Sequence, residues 1–151
     1  MKFKIFISLI LTLTLTLFND MAIAGSFTDN GNGTVSDSNT GLMWQKEDDD
    51  TTRTWESAIT YCEGLSLGSY SDWRLPNIKE LESITDDTKY YPEIDTTYFP
   101  NTNSSFYWSS TTLAINSSDA WYVDFGNGYV DYVIVNKSSL SYVRCVRGGT
   151  P

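Results

Sequence analysis

The chain of 151 residues contains no histidine. That absence removes the usual general base, the usual proton shuttle and the commonest metal ligand. Ser-His-Asp and Cys-His catalysis are excluded, and so is any Cys2His2 zinc site. What is left is carboxylate, lysine or tyrosine chemistry, or no chemistry. Basic residues are also scarce: 10 Lys and Arg stand against 19 Asp and Glu, for a net charge of −9. Such a surface repels nucleic acid, whose binding rests on neutralising phosphates. The acid excess lies within residues 25–100, whereas in residues 101–151 Asp119, Asp124 and Asp131 balance Lys137, Arg144 and Arg147. There are only 2 cysteines and 4 prolines. Beyond residue 18 no apolar run is long enough to cross a bilayer, which takes ~20 residues.

The one long apolar run is at the start. Lys2 and Lys4 precede Ile5 to Phe18, and Ala22-Ile23-Ala24 follows in the small-x-small pattern that a signal peptidase reads. This is the pattern of an export signal, with cleavage expected between Ala24 and Gly25. No cysteine follows the run, which argues against a lipid anchor. The expectation is a leader over residues 1–24 and one domain over residues 25–151, delivered to the periplasm, the cell surface or the medium, without membrane insertion. In that compartment thiols oxidise, so Cys62 and Cys145 can be joined as a structural staple. The alternative is a redox or nucleophilic pair. Reactive thiols need an electropositive, accessible setting, and Cys62 has Glu63 beside it on an apolar helix face.

What the chain has in abundance is Tyr, Trp, Ser, Asn and Gly, a composition of short strands and turns. The Asn/Gly cluster between Phe27 and Asp37 reads as a hairpin turn, and Thr40 to Trp44 begins another strand. Glu47 to Asp50 reads as a solvated loop, too charged to bury. Thr54 is an expected N-cap for a helix with Trp55, Ala58, Ile59, Cys62 and Leu65 on one face, ended by Gly64 and Gly68. Asn77 and Glu80 have capping-box spacing for a second, shorter helix with Leu81 and Ile84 inward. Phe106 to Ser110, Ala120 to Phe125, Tyr129 to Val135 and Tyr142 to Arg147 then read as a C-terminal antiparallel meander. In the last of these, Tyr142, Arg144 and Val146 should face one way and Val143, Cys145 and Arg147 the other. Asp29-x-Gly31-Asn32-Gly33-x-Val35 is echoed by Asp124-x-Gly126-Asn127-Gly128-x-Val130, two similar turns. The fold class is α+β, with two short helices, antiparallel hairpins and the meander.

Acidic residues offer two chemistries. Calcium could take oxygen ligands from Asp37, Asn39, Asp48, Asp49, Asp50, Asp86, Asp87 or Asp119. None of these stands at EF-hand spacing, and the Glu-Pro-Asn and Trp-Asn-Asp triplets of calcium-dependent sugar lectins are absent, so no cofactor is expected and calcium is the alternative. A glycosidase needs two carboxylates at a set separation. Nothing fixes such a pair among Asp72, Glu80 and Glu82, and Arg74 is expected to engage a carboxylate or backbone carbonyls. The chain is read as non-catalytic.

The motifs Gly33-Thr34-Val35, Thr40-Gly41-Leu42-Met43-Trp44, Asp72-Trp73-Arg74-Leu75-Pro76, Glu80-Leu81, Tyr107-Trp108-Ser109-Ser110-Thr111, Trp121-Tyr122-Val123-Asp124-Phe125 and Tyr142-Val143-Arg144-Cys145-Val146-Arg147 stand in this order. In them the chain resembles the family named after the C-terminal domain of the Legionella collagen-like adhesin, over roughly residues 27–148. The resemblance implies a C-type-lectin-like fold, shared with the formylglycine-generating, sulfatase-modifying enzymes. It also implies a disulfide from the first helix to the last strand, where Cys62 and Cys145 fall. The family's named adhesin binds glycosaminoglycans through a basic surface; this chain has no Lys/Arg cluster and no collagen-like stalk. The formylglycine-generating enzymes use a reactive cysteine pair near the chain end, where this sequence has only Cys145.

The reading that results is an exported, adhesin-like module that binds a surface glycan or a protein. The candidate contacts are Asn127, Tyr129, Asp131, Tyr132, Asn136 and Tyr142, residue types that serve adaptable binding surfaces. Strand aromatics also pack as core. The competing reading is a structural or assembly module of the cell envelope, homo-oligomeric and without a separate ligand; an enzyme related to the formylglycine-generating group is a third.

Overall fold

Nine elements build the domain in a computed structural model that describes residues 27–129 and 135–148. The expected leader lies outside the described residues. In chain order the elements are β1 (Phe27–Asp29), β2 (Thr34–Asp37), β3 (Leu42–Gln45), α1 (Trp55–Glu63), α2 (Ile78–Glu82), β4 (Phe106–Thr112), β5 (Asp119–Asp124), β6 (Val135–Asn136) and β7 (Val146–Gly148). They form two small antiparallel sheets, ordered β1-β2-β3-β7 and β4-β5-β6. The fold is thus mixed α+β.

The first hairpin follows from its turn chemistry. Asp29 Oδ1 accepts the Gly31 N–H at 2.9 Å, and Gly33 holds φ +84°, where a Cβ would press on the Leu67 side chain at 3.0 Å. A residue with a side chain would be strained there. The echoed sequence repeats the device, for Asp124 Oδ1 accepts the Gly126 N–H at 2.8 Å.

Helix α1 lies where its apolar spacing places it, with Ala58 and Cys62 buried and Gly64 at the C-cap. Thr54 occupies the N-cap position but makes no side-chain cap; its hydroxyl donates instead to Ser57 Oγ at 3.0 Å. Helix α2 is short and does carry the capping box. Asn77 Oδ1 accepts from the Glu80 N–H, and Glu80 Oε2 accepts from the Asn77 N–H. Glu80 also receives both ends of the Arg74 guanidinium at 2.7 Å each. Burial alone would push the Glu80 carboxyl up, but Arg74 and the Asn77 N–H outweigh it and hold the group below its ordinary value of 4.5.

Strands β4, β5 and β6 pair as an antiparallel meander; of the expected strand Tyr129 to Val135, residues 130–134 lie outside the described residues, and the last strand leaves the meander. Tyr142 touches β4 by a parallel bridge to Tyr107, and the chain then crosses so that β7 pairs with β3 in the other sheet. The reason is visible in the expected alternation, which holds. Tyr142 and Val146 pack into one core with Val35, Trp44, Tyr107 and Phe125. Val143 and Cys145 enter a second core with Ala58, Cys62, Trp73 and Trp108. One extended segment therefore lies between two cores, and it can satisfy both only by bridging the sheets. Strand β5 is likewise buried on both faces, with Val123 in the first core and Ala120 and Tyr122 in the second.

Cys62 and Cys145 form a disulfide, with Cα atoms 5.5 Å apart, that ties α1 to the residue before β7 across a separation of 83 residues. Closing a loop of that size is worth ~4–5 kcal/mol in the chain-entropy model. Cys62→Ser and Cys145→Ser should each lower stability by about 2–5 kcal/mol in urea unfolding, and reduced protein should melt below oxidised protein; equal melting would contradict a structural role.

The Arg74–Glu80 pair sets an acid limb. Because the folded carboxyl titrates below its ordinary 4.5, its contribution is present above that pH and is lost as pH falls through the lowered folded value. Glu80→Gln should lower stability at neutral pH and flatten the fall below pH 4.5, read from urea midpoints at successive pH values.

Candidate functional site

The described residues hold one cluster of buried titratable groups, and it is structural. Arg144 has no exposed surface, and the Asp48 side chain is 1% exposed. Arg144 Nη1 donates to the carbonyls of Gln45 and Lys46 at 2.8 and 2.6 Å, and Nη2 donates to Thr102 Oγ1 at 2.9 Å and Asp48 Oδ2 at 3.2 Å. Tyr107 Oη donates to the same Asp48 oxygen at 2.6 Å and accepts from the Asn103 N–H. Burial pushes the Tyr107 phenol well up and the Arg144 guanidinium down. The phenol therefore stays protonated and acts as a donor. This corrects the expectation that Glu47 to Asp50 is wholly solvated: Asp48 is pulled inward because Arg144 must be neutralised where no water reaches it. Arg144, Asp48 and Tyr107 line none of the grooves described below.

The neighbouring Asp49 makes the control. It pairs with Arg53 on the surface, with its side chain 37% exposed. Asp48→Ala strands the buried guanidinium and should cost about 3–5 kcal/mol in urea unfolding. Asp49→Ala should cost under about 1 kcal/mol.

Exposed aromatic residues gather elsewhere, at the end of the second sheet where β4 begins and β5 finishes. Phe106 pairs with Asp124 across the ladder. Phe125 donates its N–H to the Ser105 carbonyl and accepts from the Glu93 N–H, so the loops at 91–93 and 104–105 are strapped to the strand end. Gly126 brings the backbone close to the Tyr91 ring; a Cβ there would lie 3.6 Å from Tyr91 Cε2. The result is a shallow groove of about 250 Å³ with Tyr90, Tyr91 and Phe106 on its apolar side and Ser104, Asp124 and Asn127 among its polar groups. Tyr90 and Tyr91 are 82% and 65% exposed, with ring centroids 5.9 Å apart. Tyr91 holds φ +55°, a strained conformation for an aromatic residue and one that concentrates at ligand sites.

Of the residues singled out from the sequence, Asn127 and Tyr129 belong to this end. Asn127 lines the groove, its Oδ1 accepts the Tyr129 N–H at 3.2 Å, and Tyr129 is 68% exposed. Asn136 does not join them. It pairs with Asp119 at the start of β5, roughly 17 Å away at ~3.3 Å per residue, and its Oδ1 caps the following turn by accepting from Ser138. Tyr142 packs against the first core and stacks on Tyr107 at 5.4 Å. Asp131 and Tyr132 lie outside the described residues. Sequence reasoning missed Tyr90, Tyr91 and Phe106. The signal was there for the tyrosines, since two adjacent aromatics before Pro92 fit neither a strand nor a helix face.

Two of the four larger grooves among the described residues hold polar groups that are already engaged. One, about 390 Å³, is lined by Phe27, Ile84, Asp86, Asp87 and Asp95, but the Asp86 and Asp95 carboxylates are engaged in capping turns. Another, about 410 Å³, contains Arg74 and Glu80, which are spent on each other. Among the described residues no group of three or more acidic or cysteine side chains is placed to hold a metal ion.

The sequence model of the Lcl C-terminal domain family matches residues 33–147, and the chain belongs to that family. No curated protein matches it. Family membership marks an adhesin-related module.

Proposed function

We propose that the protein is an exported, non-catalytic, C-type-lectin-like module that binds a surface glycan in the groove at the β4–β5 end. The observation that carries this reading is the convergence there of solvent-facing aromatic rings with amide, hydroxyl and carboxylate groups. A pyranose presents an apolar C–H face to a ring and hydroxyls to polar side chains, and sites of this mixed lining are how proteins fix orientation. The Cys62–Cys145 bond supports an oxidising destination, and the adhesin-related family supports recognition over turnover. The burial of the titratable cluster and the absence of histidine support a non-catalytic reading.

On an array of bacterial and host glycans the purified protein should retain a restricted set. Tyr91→Ala and Asn127→Ala should each weaken retention by about tenfold, in line with the ~1–2 kcal/mol of a lost interfacial contact, without moving the melting temperature of Asn127→Ala. A discrete oligomer by light scattering together with no retained glycan would favour an envelope assembly module instead.

A further inference from the structure

The groove is electrostatically one-sided. Asp124 lines it, and no Lys or Arg does. Glu93 stands beside it, under the Gly126–Gly128 turn. Gly128 holds φ +67°, and a Cβ there would lie 2.5 Å from the Glu93 carboxyl carbon and one of its oxygens, so the carboxylate packs directly on the turn backbone. Among the described residues the Glu93 carboxylate has no hydrogen-bond or ion-pair partner. The surface ion pairs among the described residues lie elsewhere: Asp29 with Lys46, Asp49 with Arg53, Asp72 with Arg147, Glu82 with Lys79. Among the described residues no Lys or Arg pairs with Glu93 or Asp124, and the exposed ring faces of Tyr90, Tyr91 and Phe106 attract cations too.

We propose that the groove takes an amine-bearing glycan, an oligosaccharide of unacetylated hexosamine, with its ammonium groups between Glu93, Asp124 and the tyrosine rings. This rests on the glycan-binding reading above and specifies its ligand class. The ring faces match the sugar's C–H faces, Ser104 and Asn127 match its hydroxyls, and the unpaired carboxylates match its charge. A sulfated or carboxylated glycan would meet repulsion at the same place.

Titration calorimetry at about pH 6 keeps carboxylates ionised and hexosamine amines largely protonated. The glucosamine hexamer should bind about tenfold tighter than its fully N-acetylated counterpart, and added salt should narrow the gap. Glu93→Gln should reduce the preference several-fold with the melting temperature unchanged, and Tyr90→Ala, at a solvent-facing position, should weaken both hexamers. Equal binding of the two hexamers would overturn the amine inference and leave glycan binding standing. Binding of neither, with none retained on the array, would overturn both. A lysine hexapeptide that binds as tightly as the glucosamine hexamer would overturn the inference in favour of a basic peptide.

Discussion

A guanidinium with no water around it organises this domain. Arg144 sits among Phe99 and Tyr107 rings, 5.1 and 5.9 Å from their centroids. A charge in such a place must be met by a counter-charge and by acceptors for its N–H groups. Asp48, Thr102 and the carbonyls of Gln45 and Lys46 meet those needs at both Nη atoms, while Nε is left without an acceptor among the described residues. They come from the end of β3, the acidic loop after it and the loop before β4. Two stretches distant in sequence, residues 45–48 and the loop at Thr102, are therefore fixed against one side chain, and Tyr107 is fixed with them through Asp48. Such a node adds specificity of arrangement more than net stability, since only one disposition of these loops satisfies it.

The same extended segment carries the second constraint on its opposite side. Cys145 follows Arg144 and points into the other core, where it is bonded to Cys62. Tyr142 is hydrogen-bonded to β4 through Trp108 and Phe106, and Val146 to Arg74. Both sheets, α1 and the acidic loop all meet residues 142–148. Residues 142–148 thus close both sheets, α1 and the acidic loop against one another, and long-range closure of this kind weighs on folding rate.

Local features were legible in the sequence because their causes are local. The capping box at Asn77 and Glu80, the apolar face of α1 and the Asp-x-Gly turns each depend on residues a few positions apart. The alternation over Tyr142 to Arg147 was legible as well. What that alternation could not reveal was that both faces are interior, so that the last strand joins β3 and not the meander. Asp48 was read as solvated because its neighbours Glu47, Asp49 and Asp50 dominate the local charge; its partner lies 96 positions away. The groove was half legible. Asn127 and Tyr129 stood out in the turn after β5, whereas Phe106 looked like any strand aromatic, and Asn136 looked equivalent to Asn127 until the register put them at opposite ends of one strand.

Strand β5 is buried on both faces, and this has an evolutionary consequence. The groove residues Tyr90, Ser104 and Asn127 sit on turns held by main-chain hydrogen bonds, beyond the end of the packed sheet. Their identities are uncoupled from the packing inside. Substitutions at these positions leave the interior as it is. If the groove binds as proposed, what it recognises can change at a handful of codons without a change of scaffold.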